Sequence, residues 1–205
     1  MARRMVAEQL IPHGVTDERV LRVMSEIPRE EFLRGRARRH AYEDRALAIG
    51  CGQTISQPLV VALMTQSLKL ESESIALEIG TGSGYQAAIL SRLCRRVITG
   101  EREPALAEQA SATMQRLGFG NVEVAVGDGS LGWPSEAPYN AILVACAAQR
   151  VPPPLIDELA DGGRLVIPVQ VISDEPQDLR LYVKTAGVVT YRSLFPVLFV
   201  PLRPG

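Results

Sequence analysis

The sequence has little with which to build metal or redox chemistry. Its 205 residues include three cysteines and two histidines. Cys51, Cys94 and Cys146 stand far apart with no Cys-x-x-Cys pair, and His13 and His40 are as scattered, so neither a metal site nor a disulfide framework is expected. Reduced thiols in a cytoplasmic protein are the simpler reading. Aromatic residues make up 5%, with a single tryptophan, too few to interleave with basic residues and stack nucleic-acid bases. The formal net charge of −1 gives no general attraction to nucleic acid or to an anionic membrane. No apolar run approaches the ~20 residues of a membrane span. Met1 to Gln9 is basic but soon carries Glu8, and it lacks the continuous apolar core of a secretion signal. Internal repeats and low-complexity stretches are absent.

What is present suits a soluble globular chain with a full core: 46% hydrophobic and 22% charged residues. Residues 3–12 can form a first helix. Thr16 is a plausible cap for a second, running to about Ile27 before Pro28. Arg34, Arg36, Arg38, Arg39 and His40 form a basic run that reads as a solvated face. Ala48 to Pro58 reads as a polar, glycine-spaced loop. Pro58 then opens a helix from Leu59 to about Leu70.

From Ser74 onward strands and helices alternate. Strands are expected at Ser74–Ile79, Arg96–Thr99, Val122–Val126, Tyr139–Cys146 and Arg164–Val169. Helices are expected near 84–94, 104–117 and from Pro152 to about Leu159. That alternation implies a mainly parallel sheet covered on both faces. Leu179–Lys184 and Val188–Val200 read as strands with no helix between them, and Gly187 suits a hairpin turn. The sheet therefore ends antiparallel, with the order of its last strands left open. One domain spans 1–205: an N-terminal helical extension (1–73), an α/β core (74–170) and C-terminal antiparallel strands (171–205).

The centre of the pattern is Glu78-Ile79-Gly80-Thr81-Gly82-Ser83-Gly84, between the first core strand and a helix. Glycine is needed where φ is positive or where a ligand lies against the main chain. A helix start beyond such a turn offers free N–H groups. In an open α/β sheet, ligands collect at the carboxyl ends of the strands. Glu101 ends the second strand, about twenty residues past the glycines, where a carboxylate can accept from both hydroxyls of a ribose. Asp128, in Gly127-Asp128-Gly129 after the third strand, can accept from an adenine amino group. The dinucleotide fingerprint is Gly-x-Gly-x-x-Gly. Here the order is Glu-x-Gly-x-Gly-x-Gly, which resembles the S-adenosylmethionine site of class I methyltransferases, with their three-layer Rossmann-like fold.

Gly52-Gln53-Thr54-Ile55-Ser56-Gln57-Pro58 narrows the resemblance to protein-L-isoaspartate O-methyltransferases. Leu77 to Ala88, Gly127-Asp128-Gly129 with Gly132-Trp133, Gly162 to Val169 and Phe199-Val200-Pro201-Leu202 agree with that family. The likeness runs from about residue 5 to residue 202. It implies methyl esterification of the α-carboxylate of L-isoaspartyl residues in damaged proteins, followed by collapse to a succinimide and repair. It also implies S-adenosylmethionine as cofactor, S-adenosylhomocysteine as product, and isoaspartyl proteins and peptides as substrates; a monomer is expected, though the sequence does not reveal oligomeric state. Ser56 is implied as the catalytic residue that positions the substrate carboxylate. Read alone, Ser56 is rather a cap for the helix at Pro58; within this phrase it is read as functional. Gln53, Thr54, Ile55 and Ser56, Glu78, Gly80, Thr81, Gly82, Ser83 and Gly84, and Glu101, Asp128 and Gly129 are implied as cofactor-binding. Val200 to Arg203 is implied as the segment that closes over the peptide.

The chemistry accommodates the scarcity of histidine. Methyl transfer from a sulfonium expels a neutral leaving group, and a carboxylate of ordinary pKa ~3.3–3.7 is already ionised at neutral pH. Neither a general acid nor a general base is required. Some positions depart from the family pattern: Ala48, Cys51, Gly100, Asn140 and the Ala145-Cys146 pair. Gly100 is expected to loosen the ribose contact, and Asn140 to remove a charge at the start of the fourth strand. Cys51 and Cys146 read as inert, because a reactive cysteine needs a lowered pKa. Two alternatives stand beside repair. One is a methyltransferase for an aspartate in one dedicated peptide; the other is a non-catalytic S-adenosylmethionine-binding protein.

Overall fold

A computed structural model describes residues 1–173 and 175–203. Residues 174, 204 and 205 of the expected C-terminal segment lie outside the described residues.

The chain opens helically, but not as one regular helix. Helix α1 (Ala2–Met5) runs into a π-type turn over Val6–Leu10 and a 3-10 turn over Ile11–His13, which ends at Gly14 with φ 91°. Helix α2 spans Glu18–Glu26. Its cap is Asp17 rather than Thr16, because the Asp17 carboxylate accepts from the Arg19 N–H and also holds the Arg19 guanidinium. The Thr16 N–H instead donates to Gln66. The basic run is an exposed 3-10 segment, Gly35–His40, with Arg38 paired to Glu31 and His40 to Glu43.

The stretch expected to be a polar loop is a hairpin. Strands β1 (Leu47–Gly50) and β2 (Gln53–Ile55) pair antiparallel around a tight turn. Gly50, Cys51 and Gly52 all have positive φ there. Helix α3 follows over Pro58–Leu68, with Gln57 at its N-cap and no side chain closing it. It stops at left-handed Lys69, short of Leu70.

The main sheet then builds in order: β3 (Ile75–Ile79), α4 (Tyr85–Ser91), β4 (Arg96–Glu101), α5 (Pro104–Leu117), β5 (Val122–Val126), β6 (Tyr139–Val144), α6 (Pro153–Asp157), β7 (Leu159–Val169), β8 (Gln177–Thr185) and β9 (Val188–Val197). The seven strands lie in the order β5-β4-β3-β6-β7-β8-β9. The first five are parallel, and β8 and β9 are antiparallel. The sequence left the last strands unordered; they form a hairpin through Ala186-Gly187, with β9 at the edge. Several ends differ from expectation, among them β4, which runs on to Glu101, and β9, which stops at Val197. The fourth core strand stops at Val144, before Cys146. The last helix stops at Asp157. The fifth core strand starts at Leu159 and carries Gly162 as an irregularity within it.

Alternation along the strands divides the core in two. Ala76, Val97, Ala141, Leu143 and Val166 face a cluster built with the N-terminal extension and helices α3 and α4. Leu77, Ile79, Ile98, Ile142, Val144, Leu165 and Ile167 face the opposite cluster, with Leu155, Leu159 and Tyr139. The strand order reverses between β3, which leads out to β4 and β5, and β6. A crevice opens there at the carboxyl ends, and the glycine turn lies in it.

Candidate active site

A cavity lined by 26 residues occupies that crevice. Three stretches far apart in sequence form its walls: Gln53 to Ser56, Glu78 to Ser83, and Gly100 to Glu103. Gly127, Gly129, Ala145 and Cys146 contribute from neighbouring strand ends, and Phe199 to Arg203 from the C-terminus.

The turn is set by backbone geometry. Gly80 has φ 95° and Gly82 φ 52°, values that L side chains rarely adopt. The Gly80 N–H donates to the Gly100 carbonyl at 2.9 Å, tying the turn to β4. The hairpin leans on the same turn: a Cβ on Gly82 would sit 3.3 Å from Cδ1 of Ile49. Gly82 therefore lets the Gln53–Ser56 stretch approach the glycine turn.

Two acids dominate the electrostatics. Glu78 is wholly buried; its Oε2 accepts from the Thr99 hydroxyl at 2.6 Å, while Oε1 is buried with no partner. Burial, with the nearby Glu101 charge adding to it, pushes the Glu78 carboxyl up to about 8. An orphaned carboxylate oxygen on the cavity wall suits a cationic ligand group, which would supply the missing hydrogen bond. Glu101 accepts from the Gly82 N–H at 2.8 Å through Oε2 and from the Glu103 N–H at 3.0 Å through Oε1. Its carboxylate is thus fixed by two backbone donors, each carboxylate oxygen keeping a further lone pair for a ligand hydroxyl.

Most of the residues proposed from sequence meet here. Gln53, Thr54, Ile55, Ser56, Glu78, Gly80, Thr81, Gly82, Ser83, Glu101 and Gly129 all line the cavity. Gly84 and Asp128 are not among the lining residues. Gly84 is the N-cap of α4, with φ 84°, and faces α5: a Cβ there would lie 2.4 Å from the Met114 methyl and 3.4 Å from Ala110. It is a packing glycine. Asp128 caps a short 3-10 turn, its Oδ1 accepting from both the N–H and the hydroxyl of Ser130. Ser56 is not a cap, since α3 begins after Gln57; its residue lines the cavity instead.

The departures also find their places. Gly100 leaves room for Trp133, whose ring would be 3.2 Å from a Cβ at that position. Glu101 beside it is fixed by two backbone N–H donors. The Asn140 side-chain oxygen accepts from the Ile75 N–H at 2.9 Å and joins the starts of two strands. Cys146 lies on the cavity wall, but burial pushes its thiol up to about 12, an inert state. Cys51 is an exposed turn residue.

The sequence reading missed Tyr85, Gln86, Arg102, Glu103 and Phe199 as lining residues. Adjacency to the motifs is the only signal for the first four. The C-terminal strap is held by backbone pairing: the Ala147 N–H donates to Val200 and the Leu202 N–H to Ala147. The buried Gln177 amide adds bonds to both the N–H and the carbonyl of Phe199.

A seven-stranded sheet of this order, with a glycine turn after the first core strand and an acid ending the second, defines a class I methyltransferase. The comparisons with known proteins resolve the class further. The family model of protein-L-isoaspartate(D-aspartate) O-methyltransferase (PCMT) matches residues 1–205, and the chain belongs to that family. It is 54% identical over 166 residues to protein-L-isoaspartate O-methyltransferase 1 of Syntrophobacter fumaroxidans, covering 81% of this chain and 78% of that one. It is 50% identical over 204 residues to the Synechococcus sp. protein-L-isoaspartate O-methyltransferase, covering 97% and 84%. A solved protein-L-isoaspartate O-methyltransferase superposes with TM-score 0.89 at 31% identity, covering 98% of this chain and 65% of that chain. The crystal structure of a protein described as a protein-L-isoaspartate O-methyltransferase from Plasmodium falciparum, in complex with S-adenosyl-L-homocysteine, superposes with TM-score 0.85 at 26% identity, each chain covered to 98%. Among the described residues there is no cluster that could hold a metal ion, and no helix is long and apolar enough to cross a membrane.

Proposed function

We propose that this chain is a protein-L-isoaspartate O-methyltransferase that esterifies the α-carboxylate of L-isoaspartyl residues in damaged proteins and peptides. The observation that carries the reading is the meeting of Ser56 with the Glu78–Ser83 turn and Glu101 in one cavity, in a chain of this family. S-adenosylmethionine supplies an electrophilic methyl group when bound.

The chain's own residues divide the remaining work. Glu78, which lines the cavity and has one oxygen without a partner, would take the cofactor's amino group, and Glu101 offers acceptors for ribose hydroxyls. Gly80, Thr81, Gly82 and Ser83 shape the floor of the turn, and Gln53 to Ser56 form the opposite wall. The Ser56 hydroxyl orients the substrate carboxylate. A neutral donor leaves the carboxylate its charge, whereas an arginine or lysine in contact would hold it in an ion pair. What the site must achieve is alignment, with carboxylate oxygen and methyl carbon ~3–3.5 Å apart. The strap from Phe199 to Arg203 forms the rim past which a peptide would enter. Three free cysteines fit action in a reducing cytoplasm.

Repair is tested on its product. An isoaspartyl peptide incubated for hours with the protein and S-adenosylmethionine is separated by chromatography from its aspartyl isomer. Repair predicts growth of the aspartyl peak at the expense of the isoaspartyl peak. An unchanged isomer ratio, alongside methylation of some other peptide, assigns the chain a different substrate.

A further inference from the structure

Arg29 is completely buried and lies outside the cavity lining. Its Nε donates to the Ala41 carbonyl at 2.7 Å and its Nη2 donates to the Ser56 carbonyl at 2.6 Å. The same guanidinium sits 4.8 Å over the ring of Tyr85, the first residue of α4 after the glycine turn. One side chain therefore touches the extension, the peptide of Ser56 and the helix that follows the turn.

This is a costly way to fill space. Among the described residues no carboxylate lies within ion-pair distance of Arg29, and Nη1 is buried with no partner. The neighbouring Glu30 carboxylate is engaged by the Tyr42 hydroxyl. An apolar side chain of the same length would avoid the desolvation of a cation. What it could not supply is the fork of two donors with fixed geometry. Ser56 lies between the end of β2 and the start of α3, outside the ladder of either element. Among the described residues Arg29 is the sole donor to its carbonyl.

We propose that Arg29 is a positioning residue for methyl transfer. It fixes the Ser56 peptide, and so directs the Ser56 hydroxyl into the cavity, while its contact with Tyr85 keeps that peptide in register with the glycine turn. The cation reaches the reaction through a backbone carbonyl and stays out of contact with the substrate carboxylate. This rests on the reading of Ser56 given above.

The test is a double-mutant cycle in the full-length protein. Arg29→Met and Arg29→Lys are each made alone and with Ser56→Ala, and labelled methyl transfer over hours keeps slow variants measurable. Turnover and KM are read with an isoaspartyl peptide, cofactor-site affinity with S-adenosylhomocysteine by calorimetry, and folding by thermal melting. The expectation is a fall in turnover of roughly tenfold or more for Arg29→Met, with S-adenosylhomocysteine affinity held within about threefold. Arg29→Lys, which keeps the charge and one donor, falls between that variant and wild type. In the Ser56→Ala background either Arg29 change then costs less than about threefold, because its effect runs through Ser56. An equal loss in both backgrounds, or parallel loss of turnover and S-adenosylhomocysteine affinity, overturns the proposal and leaves Arg29 a support of the fold. If Arg29→Met does not fold, the Arg29→Lys cycle alone decides. Wild-type turnover in Ser56→Ala alone overturns the Ser56 reading, and the Arg29 proposal with it, before any Arg29 variant is made.

Discussion

The Thr99 hydroxyl donates to one oxygen of Glu78 and leaves the other buried without a partner. The site is therefore half satisfied before a ligand arrives. Glu78→Gln should weaken cofactor binding roughly tenfold to a hundredfold, the contribution of a hydrogen bond to a charged group. Calorimetric titration with S-adenosylhomocysteine measures it, and unchanged affinity contradicts the role.

The same carboxyl makes a prediction about pH. Burial holds the proton on folded Glu78 up to about 8, while an unfolded glutamate ionises near its ordinary ~4.3. Between those values the unfolded chain binds fewer protons, so this group's contribution to stability is lost as pH rises. Glu78→Gln has no such proton. In cofactor-free protein, the melting temperature of Glu78→Gln relative to wild type should rise between pH 5 and pH 8. A constant difference across that range counts against the raised carboxyl.

Gly84 separates packing from binding. Its positive φ disfavours any L side chain, and the Met114 methyl behind it would have to shift to admit one, yet it does not line the cavity. Gly84→Ala should cost roughly 1–3 kcal/mol of stability by denaturant unfolding. At a temperature where the variant is folded, its affinity for S-adenosylhomocysteine should match wild type. A large affinity loss in folded protein would return Gly84 to the cofactor-binding set.

Much of this was legible in the sequence, for reasons that can be named. Apolar runs ending in glycine or acid located the parallel strands, and the boundaries of α5 and β5 coincide with those read from Pro104–Leu117 and Val122–Val126. The hairpin at Leu47–Ile55 was not legible, because two very short strands around Gly50-Cys51-Gly52 carry too little alternation to separate from a loop. Thr16 and Asp17 are both capping residues, and the carboxylate that also binds Arg19 prevails. Spacing brought Gly84 and Asp128 to the strand ends but could not show their local contacts, Met114 behind Gly84 and Ser130 on Asp128 Oδ1. Nothing in the string Pro28-Arg29-Glu30-Glu31 singles out Arg29. Only the fold reveals it as buried.

Glu101 illustrates how a local contact serves the site. The Gly82 N–H and the Glu103 N–H hold its carboxylate in place, so a shorter acid cannot reach all of its partners. Glu101→Asp should weaken S-adenosylhomocysteine roughly tenfold, with little change in the KM for peptide at saturating cofactor. An equal effect on both would move Glu101 from the ribose to the substrate side of the cavity.

The most direct measurement uses two peptides that differ only in carrying L-isoaspartyl or L-aspartyl at one position. Each is incubated with labelled S-adenosylmethionine and either wild-type protein or Ser56→Ala. The account predicts base-labile methyl ester on the isoaspartyl peptide alone, with turnover roughly 10–100-fold lower in Ser56→Ala and cofactor affinity unchanged. Label on neither peptide despite cofactor binding, or equal label on both, contradicts it.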